Sequence, residues 1–545
     1  MSPEPVGPVP GEPNEYVRNT AIMTAGTALS RATGFLRILV QAAALGIGAT
    51  ALADTYNRAN TTPNILYELA LGGILTSVFV PLFVEWMKEH GRDEAWAVAD
   101  RIFTLTAVLL SAIAVVAAVF APWIIRLYMS ASHAADRQQQ LELGTFFLRW
   151  FMPQIVFYGL GAVAGGLLNA NRRFAAPMFA PVLNNLIVIA TFGLYLKMLG
   201  SGGSPTVALI TGPEKLVLAA GTTLGVVAMT LALWPSLRRI GYRWRPRLDW
   251  NHPALRRLGR LSVWVIVYVV ANQVALLIII ILAGSITGGF TAYTYAFVVF
   301  ALPYAIFVVS IFTALLPGMS ARWTEGSRDG IRTLFSRGVR DTAVLIIPAS
   351  LGMIVLAKPI SRLIFEHLHV GASDVGLIAR TLQGFAVGLL FFSLFQLLTR
   401  TFYSMQDTRT PGLVNVASAV VNVGADLLFM RVLGWGIPGL ALGQSASYVF
   451  GTIVLSAIAR NRIDGLDGRR IWATLIRVVP ASALAAGAAF AVTAPFHAEG
   501  FAAELLEVSL AVAAGVLVFL AAALILRVSE VEEVTRVLRR GLRRG

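Results

Sequence analysis

The chain has 545 residues, of which 57% are hydrophobic and 13% charged, and its mean hydropathy is +0.71. Soluble domains carry about 25% charged residues, so this balance excludes an ordinary soluble enzyme or a disordered chain and fits a polytopic membrane protein. Cysteine is absent while Lys and Arg exceed Asp and Glu by 15, which excludes disulfides and thiolate chemistry and makes the location of the cations informative.

In chain order, residues 1–19 are rich in Pro and Glu and read as a disordered cytoplasmic tail, without the basic region and apolar core of a secretory signal. A membrane span needs ~20 apolar residues. Apolar runs recur near 20–48, 62–87, 102–127, 143–167, 177–199, 215–237, 261–284, 288–316, 341–363, 378–403, 411–433, 436–459, 472–494 and 503–526. The expected fold is therefore an all-α polytopic membrane protein of about 14 transmembrane helices. Residues 20–240 form an N-terminal lobe and 261–460 a C-terminal lobe, joined by an Arg-rich cytoplasmic linker at 241–260. Residues 461–527 add two spans that read as apolar up to Arg527, and 528–545 form a basic cytoplasmic tail.

The breaks after even-numbered spans hold the arginines. Arg172 and Arg173 come first, then Arg238, Arg239, Arg243, Arg245, Arg247, Arg256, Arg257 and Arg260. Further groups are Arg322 to Arg340, Arg460 to Arg470, and Arg536 to Arg544 in the tail. The alternate breaks are bare (AGSITGGF, 283–290) or acidic and histidine-bearing (FEHLHVGASD, 365–374; APFHAEG, 494–500). This positive-inside pattern places both termini and the Arg-rich loops in the cytoplasm of a multi-pass protein. It gives no support to nucleic-acid binding, since aromatic interleaving and a binding fold are lacking.

A faint repeat aligns ADTYNRANTTP (53–63) with YTYAFVVFALP (293–303), and GLLNANRRFAAP (166–177) with TFYSMQDTRTP (401–411). A spacing of about 235–240 residues points to two pseudo-symmetric six-helix lobes around a central cavity, with two extra C-terminal helices.

Polar residues within spans are costly and mark candidate sites. In span 1, Thr27, Ser30, Arg31, Gly34, Arg37 and Gln41 fall within a ~120° sector at 100° per residue. Arg31 and Arg37 suit a phosphate, whose oxygens match the guanidinium fork, and Gly34 between them leaves room for a ligand. In span 2, Asn60, Asn64, Glu68 and Gly72 form a stripe, and Pro63 kinks or starts the helix. Asp54 and Arg58 flank it on the outer side and are spaced to pair with each other; Glu68 is placed to neutralise Arg37 or to hold a coupling cation. Span 11 aligns Asn415, Ser418, Asn422 and Asp426 within about 80°. Span 10 carries Ser393, Gln396 and Arg400, and Asn272 and Gln273 interrupt span 7. For the neutral amides, interhelical hydrogen bonds are an adequate explanation. The six histidines have no zinc spacing, and no P-loop or catalytic triad is present. The chain thus reads as a non-enzyme without cofactor or metal.

SRATGFLR (30–37), LGIGATALADTYNRANTTPNILYELALGGILTSVFVPLF (45–83), PQIVFYGLGAVAGGLLNANRRFAAPMFAPVLNN (153–185), ALPYAIFVVSIFTALLPGMS (301–320) and LFQLLTRTFYSMQDTRTP (394–411) together resemble the MurJ (MviN-type) lipid II flippases. These belong to the multidrug/oligosaccharidyl-lipid/polysaccharide exporter superfamily, and the YEL and ALP variants look like its actinobacterial branch. The resemblance implies outward transfer of undecaprenyl-diphosphate-linked disaccharide-pentapeptide across the bacterial cytoplasmic membrane. It implies that Arg31 and Arg37 are cavity cations and that Asp54 matches an acidic residue of the family. It further implies a place in peptidoglycan biosynthesis beside cell-wall synthesis and division proteins. The chain departs from the family pattern at Tyr67-Glu68 and Phe297-Val298, where many members carry an Arg and an Asp-Arg pair.

The expected mechanism is alternating access. Arg31 and Arg37 hold the diphosphate, polar faces of spans 2, 7, 10 and 11 hold sugar and peptide, and spans 13 and 14 offer a groove to the polyprenyl tail. Membrane potential, or Na⁺ or H⁺ at Glu68, Asp54 or Asp426, supplies the drive. The rival readings are an exporter of another lipid-linked oligosaccharide, a cation-coupled multidrug exporter of the same superfamily, and a non-transporting scaffold for cell-wall synthases.

Overall fold

Long apolar runs closed by Gly and Pro produce helices. The computed structural model describes residues 13–46, 51–71, 79–171, 173–200, 206–249, 252–368, 371–495 and 500–533, and every regular element among them is helical. Gly72, Arg172, residues 1–12, part of the loop at 496–499 and the tail arginines Arg536 to Arg544 lie outside the described residues.

The first half begins with α1 (Pro13–Leu45), α2 (Leu52–Leu71) and α3 (Val80–His90). Next come α4 (Arg92–Val119), α5 (Ala121–Tyr128), α6 (Arg137–Phe151) and α7 (Gln154–Ala170). It closes with α8 (Ala175–Leu199), α9 (Gly212–Leu231) and α10 (Trp234–Arg239). The second half opens with α11 (Pro253–Ala283), α12 (Gly289–Pro303), α13 (Val309–Thr324) and α14 (Arg328–Phe365). It continues with α15 (Ala372–Val387), α16 (Leu389–Ser404), α17 (Arg409–Asp426) and α18 (Ile437–Arg462) and ends with α19 (Gly468–Thr493) and α20 (Phe501–Ile525). Local chemistry sets several boundaries. Thr211 and Glu214 close a capping box on α9, Thr211 N donating to Glu214 Oε2 at 2.7 Å. Ser327 Oγ accepts from Gly330 N to start α14. At Gly91, φ of +83° separates α3 from α4.

Eleven described helices are long and apolar enough to cross a membrane, or twelve if α15 and α16, bent by 48°, form one span. The remaining expected spans, 20–48 and 62–87, fall on α1 and the α2–α3 region. Helices α1 and α2 carry Arg31, Arg37, Asp54, Arg58 and Glu68, and residues 72–78 of the second segment lie outside the described residues, so the described helices account for eleven or twelve of the fourteen expected spans. Two expectations shift. Helix α1 already begins at Pro13, inside the segment read as tail. Helix α2 begins at Leu52, so Asp54 and Arg58 lie on it rather than before it, and Pro63 sits within it.

The chain divides into two compact units. One comprises residues 1–44, 58–126 and 138–269, and the other residues 45–57, 127–137 and 270–545. In the first, Phe83, Phe103, Leu167, Leu237 and Tyr242 are buried together, with Trp96, Trp234 and Trp244 against them. Within the expected linker at 241–260, Tyr242 is buried in this core with Trp244 and Leu255 packed against it, and α11 starts at Pro253. Tyr242 Oη donates to Asp100 Oδ1 (2.9 Å), as does Arg245 N (3.0 Å). Thr104 Oγ1 accepts from Trp244 Nε1 (3.2 Å) and Arg247 N (3.0 Å). Burial, reinforced by Asp100, pushes the Tyr242 hydroxyl well above the usual phenol range and keeps it a donor.

In the second unit α14, α19 and α20 pack through small residues, Ala343, Ala481, Ala485, Ala522 and Ala523, around Phe519. Helices α19 and α20 are not charge-free before Arg527, as the sequence reading had it; it passed over Arg477, Glu504 and Glu507. Arg477 lies within α19, and Glu504 and Glu507 lie in the first two turns of α20. Arg477 Nη1 donates to Arg527 O (2.8 Å), while Glu504 meets Arg362 (3.4 Å) and His367 (2.9 Å). Glu530 pairs with Arg340 and accepts from Thr474 Oγ1 (3.3 Å).

Helices α17 and α18 meet at Gly439 and Gly443, a spacing of four that lets backbones approach closely. A Cβ at Gly443 would lie 2.1 Å from Asp426 Oδ1 and 2.9 Å from its backbone nitrogen. Gly443→Ala is expected to cost about 1–3 kcal/mol of stability through overpacking. Gly376→Ala, where nothing lies within 4 Å, is expected to be neutral or stabilising by up to about 1 kcal/mol. Thermal unfolding of the purified variants in detergent tests the contrast, and equal midpoints would contradict this packing.

Candidate functional site

Helix α1 presents Arg31 exposed and Arg37 half-buried. Neither has an ion pair among the described residues, and Arg37 Nε is enclosed without a hydrogen-bond partner. The pairing of Arg37 with Glu68 allowed by the sequence is therefore not formed. Tyr158 of α7 stands within electrostatic reach of Arg37, and its ring lies 6.0 Å from that of Tyr67. The rest of the polar sector is partly covered by α8. Asn185 Nδ2 donates to Ser30 O (3.2 Å) and Thr33 Oγ1 (3.1 Å), and a Cβ on Gly34 would meet that amide at 3.5 Å. Gly34 thus faces a neighbouring helix, not the open space for a ligand expected from sequence.

On α2 the stripe is graded in exposure: Asn60 and Glu68 are half-buried and Asn64 is exposed, whereas Asp54 and Arg58 are buried. Glu68 has no ion pair among the described residues. Asp54 has a clear structural task. Its Oδ1 accepts from Thr291 N (2.8 Å) and Thr291 Oγ1 (2.6 Å), and Asn57 Nδ2 donates to the same hydroxyl (3.0 Å). Thr291 lies in the first turn of α12, so the carboxylate satisfies an orphan amide at the positive end of that helix dipole.

In the second unit Asn272 Nδ2 of α11 donates to Asn415 Oδ1 of α17 at 2.7 Å, the interhelical bond foreseen for neutral amides. Arg400 is exposed on α16, with its guanidinium 5.5 Å from the Phe312 ring centre and 5.8 Å from that of Tyr403. Rings in this arrangement stabilise the cation while leaving its N–H edges free. Asp426 is fully buried at the end of α17, where a π turn (Leu427–Val432) follows. Asn422 Nδ2 donates to its Oδ1 (3.2 Å), while Oδ2 has no partner. An ionised carboxylate in that state is strongly disfavoured. It invites a proton or a small cation, although among the described residues no group of three or more acidic or histidine ligands is assembled for a metal.

Sequence reasoning missed Thr291 and Asn185, the partners that explain Asp54 and α1. Thr291 gave no signal. Asn185 lay within a quoted motif, but only the fold brings it to α1. The second unit also contains Glu507, buried with Oε2 unpartnered, one turn from Glu504 on α20.

Comparison with known proteins gives a consistent picture. Residues 43–511 match the family described as lipid II flippase MurJ, a stretch that starts after Arg31 and Arg37. A probable lipid II flippase MurJ of Rhizobium meliloti (strain 1021) is 30% identical over 77% of each chain. A solved structure titled lipid II flippase MurJ, inward closed conformation, has a TM-score of 0.75 at 20% identity, covering 93% of this chain and 99% of that one. An inward-facing multidrug resistance MATE transporter of the MOP superfamily follows at 0.64 and 15% identity, covering 80% of this chain and 96% of its own.

The Asp54 contact yields a direct expectation. Asp54→Ala strips the cap from α12 and should cost about 1–2 kcal/mol. Thr291→Val, which keeps the backbone bond and loses the hydroxyl, should cost about half as much. Unfolding midpoints of the two variants check the ranking.

Proposed function

Because the chain belongs to the lipid II flippase MurJ family, we propose that it carries lipid II from the inner to the outer leaflet of the bacterial cytoplasmic membrane. The observation that carries this reading at the level of residues is Arg37, a half-buried guanidinium with no counter-ion among the described residues, six positions from exposed Arg31 on the same helix. An unneutralised cation in an apolar layer is a receptor awaiting an anion, and guanidinium geometry favours the oxygens of a diphosphate.

In the first unit Asn64 and Glu68 of α2, and in the second unit Asn272, Asn415 and Arg400, supply polar groups for sugar and peptide. The outward apolar faces of α19 and α20, with Ile476, Leu484, Leu517 and Ile525 exposed, offer a lipid-like surface to the polyprenyl tail. Transport proceeds by alternating exposure of the site to the two leaflets, with both termini cytoplasmic as the arginine distribution favours. No cofactor enters. Moving an anion outward gains roughly 2.3 kcal/mol per charge per 100 mV of inside-negative potential. Asp426, buried with one oxygen unpartnered, supports an added proton or Na⁺ coupling step. The protein partners of such a carrier are the cell-wall synthesis and division proteins that consume its product.

Two measurements test the reading. In vesicles containing labelled lipid II, Arg31→Gln with Arg37→Gln should lower translocation at least about tenfold, since charge-assisted hydrogen bonds are worth about 1.5–3 kcal/mol each. The unfolding midpoint should stay near that of the parent, and full activity in the double variant would sink the assignment. Asp426→Asn keeps the shape and removes the ionisable group; it should abolish any acceleration by an imposed pH or Na⁺ gradient while leaving the response to membrane potential. Unchanged gradient dependence would refute coupling at Asp426.

A further inference from the structure

Between α9 and α11 the chain carries Arg238, Arg239, Arg243, Arg245 and Arg247 before its first carboxylate at Asp249. All five are exposed. From Gly241 to Asp249 the backbone has no regular element, yet its path is fixed. Tyr242 and Arg245 N are held by Asp100, Trp244 and Arg247 N by Thr104, and Arg101 pairs with Asp249 at 3.3 Å. Arg92 donates to Ile240 O, and His252 meets Glu94 at 3.4 Å. Tyr242 and Trp244 therefore turn inward while Arg243, Arg245 and Arg247 stand outward at every second residue. None of the pinning bonds uses an outward guanidinium as donor. Arg247 has Asp100 at 4.0 Å; Arg238, Arg239, Arg243 and Arg245 have no carboxylate partner among the described residues.

Helix α4 fixes the depth of this comb. It is charged at Arg92, Asp93, Glu94, Asp100 and Arg101 and then uncharged from Ile102 to Val119. That apolar stretch is about 27 Å of helix at 1.5 Å per residue, close to the ~30 Å hydrocarbon layer. Residues 100–104, on which the segment is pinned, thus mark the boundary between headgroups and hydrocarbon. The rings of Trp234 and Trp244 lie 6.5 and 5.9 Å from that of Phe103, at the start of the apolar stretch of α4, the depth at which indoles concentrate. Net positive charge on a loop serves topology whatever its shape. A fixed row of outward guanidiniums at phosphate depth, all but Arg247 without a carboxylate partner among the described residues, is a further feature, and topology does not require it.

We propose that residues 238–247 form a binding surface for anionic phospholipid, the outward arginines engaging headgroup phosphodiesters of the leaflet in which α4 begins. The bilayer phosphate is the occupant because depth and flanking indoles match it, and because guanidiniums grip phosphate oxygens in bidentate fashion. The surface anchors the first unit to one leaflet through a segment that belongs to its own core. This inference needs the protein to be membrane-embedded and is independent of which substrate is carried.

The test uses the full chain in detergent, with retention of phosphatidylglycerol against phosphatidylcholine read by native mass spectrometry. The parent should prefer phosphatidylglycerol. Arg239→Gln, Arg243→Gln and Arg245→Gln together leave every pinning bond in place and should erode the preference by roughly fivefold per arginine, from about 1 kcal/mol each near a membrane surface. An equal charge loss elsewhere, Arg460→Gln with Arg469→Gln and Arg470→Gln, should leave it within twofold. No preference in the parent overturns the proposal. So does a triple variant that binds like the parent, or an equal loss in the control, which would reduce the effect to net charge.

Discussion

A charged side chain at the centre of a bilayer costs about 2.5–3.5 kcal/mol even on the most lenient scale, and that penalty sorts the polar residues of this protein. Most are accounted for locally. Asp54 holds the amide and hydroxyl of Thr291, Asn185 ties α8 to α1, and Asn272 meets Asn415. Charges on α19 and α20 find local partners, Arg477 at Arg527 O and Glu504 at Arg362 and His367, and Glu530 beyond α20 pairs with Arg340. Buried atoms without a hydrogen-bond partner among the described residues are still numerous, but most are neutral amides and hydroxyls, or belong to arginines such as Arg101 and Arg340 whose other nitrogens meet carboxylates. The Nε of Arg37, the Oδ2 of Asp426 and the Oε2 of Glu507 stand out because they belong to ionisable groups, and the proposed function draws on the first two.

The helices around these groups are irregular in matching places. A π turn follows Asp426, and another, Tyr304–Val308, follows Pro303. One extra residue in a turn rotates all that follows and leaves backbone groups partly free, which regular α-helix would not do. Close backbone approach at Gly439 and Gly443 keeps α18 against the first of these turns, so the Asp426 carboxylate is enclosed by packing as well as by depth. The same glycines that make the enclosure possible also fix it.

Much of this was legible in the sequence, and the division is physical. Span positions follow from apolar runs, which report a one-dimensional property, and the motif set led to the right family. Polar stripes on α1, α2 and α17 were visible from helical periodicity. Partners were not, because a stripe says which face is polar and nothing about what opposes it. Gly34 shows the limit: its place between two arginines suggested open space, and the fold fills it with Asn185. The basic segment after α10 shows another. Its arginines read as a linker, yet alternation with Tyr242 and Trp244 marks a strand-like face whose meaning depends on Asp100 and Thr104, far away in sequence. Glu504 and Glu507 were passed over inside a strongly apolar run, and Pro63 was given more power to start a helix than it has within α2.

The two positions where the chain departs from the family pattern bear on how an anion would be held. Phe297 lies 5.6 Å from the Phe300 ring and 5.5 Å from that of Phe385, so an aromatic cluster stands at that position. Tyr67 stands by Tyr158, which in turn borders Arg37. Fewer cations among more rings need not weaken the grip. Aromatic walls exclude water and lower the local dielectric, and a Coulomb interaction strengthens in proportion as the dielectric falls. A guanidinium in such surroundings pulls harder on an anion than the same group in water, provided it is not neutralised from within. Arg37, half-buried, has no ion pair among the described residues; Arg400 in the second unit is exposed, with the Phe312 and Tyr403 rings beside it. The proposed anion site therefore combines few cations with aromatic neighbours, and the dielectric around Arg37 bears on its strength as much as the number of charges.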